Sequence, residues 1–235
     1  MRHHDPRPTN LTAWLLLAAV TFVPGRAANA GETYRRVQLV PRDEAAADPS
    51  FAAFRAKLDA AIAAKDADFL RSILAPDVLL TFGGESGPNA FFERWRPAAD
   101  DSELWSLLTE LLRLGSTLST DADAADATYP FYFESFPDDF DGFTSGVITG
   151  SNVNVREHPD AASAVIARLS HDVVVVPDWG EAAADRPASP WVRVALHDGS
   201  AGYVSRKLIR SPAGYRLGFH RAGDRWMLTF LIAGD

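Results

Sequence analysis

The chain contains no cysteine, so its possible nucleophiles are hydroxyl groups and its possible metal ligands are histidines and carboxylates. The segment GESGP (84–88) places a serine between two glycines. A nucleophile elbow has the spacing G-x-S-x-G, and here the position of the second glycine is taken by Pro88. We therefore predict a turn at Gly83-Gly84, and we predict that Ser86 is not a nucleophile.

Metal-ligand spacing is also missing from the sequence. No two histidines after residue 30 have the close spacing of a zinc pair; they are His158, His171, His197 and His220. The segment DDFDG (138–142) resembles part of a calcium loop. An EF-hand register on its glycine would put Pro137 at the first ligand and Ile148 at the bidentate glutamate, so that register fails. We predict no metal site and interpret the segment as a solvated acidic turn.

Carboxylates near aromatic residues could include a proton donor whose pKa is raised. Glu85, Glu93 and Glu134 meet that description, but their spacing selects no pair. The sequence therefore predicts a protein that is not an enzyme and that needs no cofactor. A small-molecule or enzymatic pocket stays open as an alternative.

The first thirty residues have the order of a secretory signal peptide. Arg2 and Arg7 precede the apolar run 13–23, and the small-residue site Ala28-Asn29-Ala30 follows it. We predict cleavage after Ala30, no membrane span after cleavage, and a secreted or periplasmic protein. The leader is net positive, so its removal makes the formal charge of −8 more negative, which disfavours nucleic acid as a partner. Without cysteine, the exported chain must be stabilised by packing.

Helical elements are predicted in the first half of the chain. Residues 31–47 are polar and alanine-rich, which favours a flexible lead-in. Asp48-Pro49 and Asp66 have the chemistry of helix starts, and apolar residues follow each at helical spacing. Two further helices are predicted, over 89–95 and from 101 to Gly115, with a short buried strand at 78–82 between the second and third helices. The Asp, Ala and Thr run 119–128 predicts a loop.

Short strands are predicted after residue 146. The runs are 153–156, 165–169, 173–176, 191–196 and 202–205, separated by turn residues. Asp198-Gly199 indicates a tight hairpin, and residues 180–189 have the composition of an exposed loop. Two more β-runs, 215–219 and 225–232, flank Gly223 and predict a terminal hairpin. This pattern is typical of a small barrel followed by a hairpin.

Over about residues 146–211 the chain resembles the bacterial SH3 (SH3b) family. The resemblance lies in VNVR (153–156) before Pro159, in VIARL (165–169), in WVRV (191–194) and in DGSAGYV (198–204). It implies an SH3-like barrel that binds ligands, often components of the cell wall. The ligand-binding candidates are Asn154, Arg156, Trp179, Trp191 and Tyr203. The alternative for Arg156 is a structural clamp, and for the tryptophans it is core packing.

The remainder is similar to the cone-shaped family of nuclear transport factor two and ketosteroid isomerase. This resemblance rests on the order of the elements. It implies an α+β fold in which a helix-rich domain, 48–145 plus 212–235, is completed by the terminal hairpin, with the barrel 146–211 inserted before it. A pocket in that domain could be lined by the following aromatics, whose alternative is the domain core: Phe82, Phe91, Trp95, Trp105, Phe133, Phe219 and Trp226.

These observations predict an exported, non-catalytic cell-envelope binding protein. Its SH3b-like barrel would bind peptidoglycan or its peptides, or would dock an envelope protein. One alternative is a periplasmic interaction or scaffold protein, in which the barrel and the aromatic segment 129–143 pack onto a partner or onto the first domain. The other is the pocket in the α+β domain.

Overall fold

The computed structural model describes residues 32–121, 124–180 and 188–234. These residues form four α-helices and two β-sheets, so the predicted α+β class is confirmed. The predicted signal peptide, residues 1–30, and most of the predicted 180–189 loop lie outside the described residues.

The helices are α1 (Pro49–Ala64), α2 (Ala67–Ile73), α3 (Pro88–Trp95) and α4 (Leu104–Arg113). Asp48 caps α1 by accepting hydrogen bonds from the backbone N–H groups of Ser50 and Phe51. Asp66 caps α2 in the same way through Phe69 N–H, at 2.9 Å. The predicted helix starts at Asp48 and Asp66 are thus confirmed, because a short carboxylate side chain satisfies amide groups that the first turn leaves unpaired.

The strands in chain order are β1 (Leu74–Leu79), β2 (Thr117–Thr120), β3 (Ala124–Tyr129), β4 (Ser145–Ile148), β5 (Val153–Arg156), β6 (Val165–Leu169), β7 (Val173–Val175), β8 (Trp191–Ala195), β9 (Ala201–Ser205), β10 (Ile209–Arg210), β11 (Arg216–Ala222) and β12 (Arg225–Ile232). They form a five-stranded sheet with the order β1-β12-β11-β3-β2 and a seven-stranded sheet with the order β10-β4-β7-β8-β9-β5-β6.

All four helices pack on one face of the five-stranded sheet. Alternate residues of its central strands, among them Ala125, Ala127 and Phe219, are buried with apolar residues of the helices in one core. The loop predicted over 119–128 is wrong where β2 and β3 form, since their ladder runs from Thr117–Thr128 to Thr120–Ala125. β2 and β3 lack valine and isoleucine, the large β-branched residues by which strands are usually recognised. Small residues are needed at these positions because the helices pack on them.

The seven-stranded sheet encloses a core made largely of valine, with Ile148 and Ile209 at one side. The strands predicted over 153–156, 165–169, 173–176, 191–196 and 202–205 are confirmed as β5 to β9 within a residue at each end. A closed barrel was predicted. Within the described residues the strand order instead has two ends, β10 and β6, and no ladder joins them. Closure would require the edge strands β6 and β10 to pair with each other, and in the described part of the chain β6 pairs with β5 and β10 with β4.

A flexible lead-in was predicted over residues 31–47, and residues 32–47 of it form hydrogen bonds to both sheets. The Tyr34 hydroxyl donates to Ala195 O in the seven-stranded sheet, at 2.8 Å. Arg36 pairs with the buried carboxylate of Asp172 in the loop before β7. Farther along, Leu118 N–H in β2 donates to the Glu44 carboxylate, at 3.2 Å. The segment therefore crosses from one sheet to the other.

The aromatic segment after β3 lies between the two sheets. Phe131 and Tyr132 are buried in a small cluster with Leu114 of the first half and Val147 of β4. Beside them, Arg210 of β10 donates to the Glu110 carboxylate of α4, at 2.6 Å. This part of the 129–143 segment therefore packs within the chain.

Candidate functional site

Four of the five predicted binding residues lie on the outer face of the seven-stranded sheet. Buried valines alternate along β5 and β8, so the residues between them point away from the core. We call this surface the arginine–tyrosine face, and it consists of Asn154, Arg156, Trp191, Arg193 and Tyr203. The structure thus brings Asn154, Arg156, Trp191 and Tyr203 together, and it adds Arg193.

The centre of this face is a row of three paired residues on three neighbouring strands. Tyr203 of β9 is paired with Arg156 of β5 on one side and with Arg193 of β8 on the other. Directly paired residues project to the same side of an antiparallel sheet with Cβ atoms about 5 Å apart. The side chains of Arg156, Tyr203 and Arg193 therefore leave the sheet from neighbouring positions on one face.

The two arginines differ in how far their side chains are already engaged. Arg156 donates from Nη1 to Ser163 O in the turn after β5, at 2.6 Å, which agrees with its alternative role as a clamp. The exposed Arg193 side chain makes no hydrogen bond or ion pair with another described residue. Asn154 accepts a hydrogen bond from Arg168 Nε at 3.1 Å. Arg193 is thus the side chain of this face that is most available to a ligand.

Sequence reasoning missed Arg193, although the signal was present. In WVRVA (191–195) the two valines alternate with Trp191, Arg193 and Ala195, which places the arginine on the same side as the predicted Trp191. What the sequence could not give was the register that sets Arg193 opposite Tyr203.

Trp179 lies apart from the other candidates and packs against the valine core. Its indole Nε1 donates to Phe143 O at 2.9 Å. Its ring lies so close to β4 that a Cβ atom at Gly146 would be 3.0 Å from Trp179 Cη2. These contacts favour core packing for Trp179, which was the alternative to ligand contact.

Residues proposed for a pocket in the first half are mostly part of its core. Phe91, Trp105, Phe219 and Trp226 are buried together under the helices, whereas Phe82 is 56% exposed. Phe133 lies against Arg216, whose guanidinium carbon is 4.3 Å from the ring centroid. Trp95, Trp105 and Trp226 each line a different surface cleft, so these three rings do not share one there.

A surface groove of about 830 Å³ does run between α1 and α4. Its central cation, Arg55, pairs with Asp59 at 2.9 Å and donates to the Tyr129 hydroxyl at 3.0 Å. Burial raises the pKa of Tyr129 to about 12, so this phenol stays protonated. The two carboxylates that line the groove, Asp59 and Glu110, are each paired with an arginine.

One nucleophile and base pair comes close to catalytic geometry. Ser151 Oγ lies 3.1 Å from His171 Nε2. The other ring nitrogen, Nδ1, is buried and has no hydrogen-bond partner. A catalytic histidine needs a group that orients this nitrogen and fixes the tautomer, and the described residues supply none to His171.

The remaining chemical candidates are dispersed. Glu85 pairs with Arg94 at 3.1 Å, and His220 pairs with Asp126 at 2.8 Å. Among residues 32–121, 124–180 and 188–234, no group of three His, Asp or Glu side chains could hold a metal ion. The arginine–tyrosine face is therefore the best-formed candidate site in the described part of the chain.

Comparison with other proteins adds no assignment to this geometry. Within the described residues, no helix is long and apolar enough to cross a membrane. No family model, no curated protein and no solved structure matches the chain. The resemblances to the SH3b family and to the cone-shaped family stay predictions.

Proposed function

We propose that this chain is an exported, non-catalytic cell-envelope binding protein. In this proposal the seven-stranded sheet is an SH3-like module, and its arginine–tyrosine face binds peptidoglycan or its peptides. The observation that carries the proposal is the row Arg156, Tyr203 and Arg193 across three neighbouring strands. The signal-peptide pattern of residues 1–30 supports the location.

The row suits a carboxylate on an extended peptide. A guanidinium group binds a carboxylate with two parallel hydrogen bonds, and these are stronger than bonds between neutral groups. Tyrosine offers an apolar ring and a polar tip, so it can pack against a peptide backbone while its hydroxyl stays hydrated. The stem peptides of peptidoglycan carry free carboxylates and expose their backbone, which matches both requirements.

The net charge of the chain also narrows the class of ligand. The chain has a formal net charge of −8, so a polyanion such as nucleic acid is repelled by the molecule as a whole. A short ligand with one or two carboxylates contacts only the arginines of the face. This selects peptides over polyanions.

The test is co-sedimentation of the protein with purified peptidoglycan sacculi. We expect saturable pelleting by the wild type and weakening of at least about tenfold for Arg193→Ala, the effect of one lost charge-assisted hydrogen bond. Tyr203→Ala should weaken binding as well. Lys57→Ala is the charge-matched control, because Lys57 is an exposed residue of α1 in the other half of the chain.

Circular dichroism and urea unfolding of each variant establish that the fold is retained. Absence of saturable pelleting by the wild type would refute the proposal. Equal loss of binding in Lys57→Ala and Arg193→Ala would refute the arginine–tyrosine face as the site, because it would show an effect of net charge alone.

A protein partner is the second candidate, and the edge strand β6 favours it. Val165 and Ile166 are exposed there, and among residues 32–121, 124–180 and 188–234 the one strand paired with β6 is β5. An unpaired edge with apolar side chains can accept an added strand from another protein. In this case Ile166→Lys would abolish partner capture and leave sedimentation with sacculi unchanged, whereas Arg193→Ala would do the reverse.

A further inference from the structure

A cleft of about 530 Å³ opens beside the arginine–tyrosine face. Its floor includes Val175 of β7 and Ala195 of β8, which are paired with each other. Ala195 lies two residues beyond Arg193 on the same strand, so both are on the same side of the sheet. The cleft and the arginine row therefore belong to one continuous surface.

Two aromatic rings form one wall of this cleft. Tyr34 and Phe140 meet edge to face, with their ring centroids 5.4 Å apart. The Tyr34 hydroxyl donates to Ala195 O at 2.8 Å, which fixes the ring against β8. Burial raises the pKa of Tyr34 to about 12, so this hydroxyl remains a donor at any physiological pH.

The charged side chains around the rings are mainly acidic. Glu32, Asp139 and Asp141 line the cleft, and Arg35 is the one basic residue lining it in the described part of the chain. Hydrogen bonds from the Thr144 and Phe143 N–H groups lower the pKa of Asp141, so this carboxyl stays ionised.

Arg35 does not block the cleft. It lies 3.5 Å from Asp139, and the two side chains are 72% and 76% exposed. A pair this exposed contributes little free energy, because water and salt screen both charges. A ligand cation that also contacts the rings can therefore replace Arg35 beside Asp139.

We propose that this cleft binds an organic ammonium group, and that together with Arg193 it forms one site for a zwitterionic ligand. Cations bind to aromatic faces, and nearby carboxylates add to that attraction. The carboxylate half of this inference rests on the proposed function of the arginine–tyrosine face, whereas the ammonium half rests on the cleft alone.

The closeness of the two regions favours a short ligand that carries both charges. Arg193 and Ala195, which lines the cleft, are two residues apart on β8, so their Cα atoms are about 7 Å apart. A C-terminal basic amino acid carries a side-chain ammonium and an α-carboxylate on one short extended chain. A peptide that ends in lysine or in a diamino acid would therefore place its carboxylate on Arg193 and its ammonium in the cleft, against the wall formed by Tyr34 and Phe140.

The experiment is an NMR titration of the ¹⁵N-labelled protein with Nα-acetyllysine, which has one ammonium and one carboxylate. We expect shifts at the amides of residues 34–35 and 139–141 together with shifts at residues 193 and 203. Nα,Nε-diacetyllysine lacks the ammonium, and it should bind about tenfold more weakly and leave the cleft amides unchanged. Nα-acetyllysine amide lacks the carboxylate, and it should shift only the cleft amides.

Matched variants separate the cleft from its surroundings. Asp139→Asn and Phe140→Ala should each remove the response of the cleft to the ammonium group. Their controls are Asp138→Asn and Phe143→Ala, since both residues are exposed neighbours that do not line the cleft. These controls should bind like the wild type, and the unchanged amide spectrum outside the cleft reports that each variant is folded.

The outcomes distinguish this inference from the proposed function. The ammonium site is refuted if acetylation of the amine leaves the affinity and the cleft shifts unchanged. It is also refuted if Asp139→Asn binds Nα-acetyllysine like the wild type. Both conclusions hold even where sacculi still sediment with the protein. If the cleft binds the ammonium group but sacculi do not sediment, the cleft stands and the wall-binding proposal falls.

Discussion

The two sheets use their aromatic residues in opposite ways. Beneath the helices that cover the five-stranded sheet, Phe51 of α1 lies at the centre of a cluster of aromatic rings. Its ring centroid is 4.8 Å from that of Trp226 and 5.8 Å from that of Phe219. In the seven-stranded sheet the core is built mainly of valines, and Trp191 and Tyr203 lie on the outer face with the arginines. One region uses large rings to join helices to a sheet, and the other leaves rings where a ligand can reach them.

This difference follows from what each sheet packs against. The helices cover one face of the five-stranded sheet, and large side chains fill the space between these two layers. The strands of the seven-stranded sheet fold over their own smaller core, which is filled mainly by β-branched valines. An aromatic residue in the second region therefore has fewer buried positions available, which makes its outer face the natural place for recognition.

The strongest test of this comparison is to remove one ring from each region. Phe51→Ala should lower the free energy of unfolding by about 3–5 kcal/mol, the range for a fully buried phenylalanine. Tyr203→Ala should lower it by less than about 1 kcal/mol, the size of a cross-strand pair on an open face. Urea unfolding measures both. Equal losses would show that Tyr203 is a core residue and would remove it from the binding site.

The same contrast should separate two tryptophans within the seven-stranded sheet. Trp179→Ala should lower the free energy of unfolding by about 2 kcal/mol, because it loses a half-buried ring and the hydrogen bond to Phe143 O. Trp191→Ala should cost less than about 1 kcal/mol and should weaken sedimentation with sacculi. A stable Trp179→Ala variant that no longer binds would return Trp179 to the binding site.

Much of the seven-stranded sheet could be predicted from the sequence, because its signals are local. In β5 and β8, valines alternate with polar or large residues over four or five positions, which is the period of a half-buried strand. Gly199 has φ of 83°, and the turn after Asp198 needs that left-handed conformation. The helix caps at Asp48 and Asp66 were predictable for the same reason.

The five-stranded sheet was harder to predict, because its strands depend on distant partners. Ala125 and Ala127 are in β3 since small residues fit beneath the helices, and nothing local indicates a strand there. The sequence predicted a strand over 78–82, but β1 begins at Leu74 and contains Pro76. That strand is at the edge of the sheet, where the missing N–H of proline is tolerated.

Most residues of the candidate site could be selected from the sequence, but which of them lie side by side could not. Arg156 and Tyr203 were selected from the SH3b-like motifs, but their pairing, and the position of Arg193 beside Tyr203, depend on the strand register. The contact between Tyr34 and Ala195 joins residues 161 positions apart. No local pattern could place Tyr34 beside this face.

The connection between the two regions can be measured at Arg210 and Glu110. Arg210 is largely buried and the Glu110 side chain is 40% exposed. Glu110→Gln should therefore lower the free energy of unfolding by about 1–2 kcal/mol, less than the loss from breaking a fully buried pair. A double-mutant cycle with Arg210→Met isolates the coupling. A coupling near zero would mean that this ion pair adds nothing to the connection made by the aromatic cluster around Phe131 and Tyr132 and by residues 32–47.

The smallest effect concerns acid and the N-terminus of α1 in the helix-covered region. Asp48 accepts hydrogen bonds from the Ser50 hydroxyl and from the backbone N–H of Phe51, and these bonds lower its pKa in the folded chain. A carboxyl whose pKa is lower in the folded state contributes its stability above the unfolded pKa of about 3.9 and loses it as pH falls through the folded pKa.

Asp48→Ala should therefore lower the free energy of unfolding by about 1 kcal/mol at pH 7, the usual cost of a lost N-cap. Urea unfolding should be measured from pH 7 to pH 2. The difference in free energy of unfolding between the wild type and Asp48→Ala should be constant down to about pH 4. Below that pH it should become smaller, because the Asp48 carboxyl of the wild type is then protonated. Asp100→Ala removes the same charge from an exposed site and should track the wild type throughout. A difference in free energy that persists unchanged at pH 2 would mean that Asp48 stabilises α1 through packing. The loss of stability in acid would then have to arise at another carboxyl group. One such group is Asp198 in the β8–β9 turn, because hydrogen bonds from Ser200 lower its pKa as well.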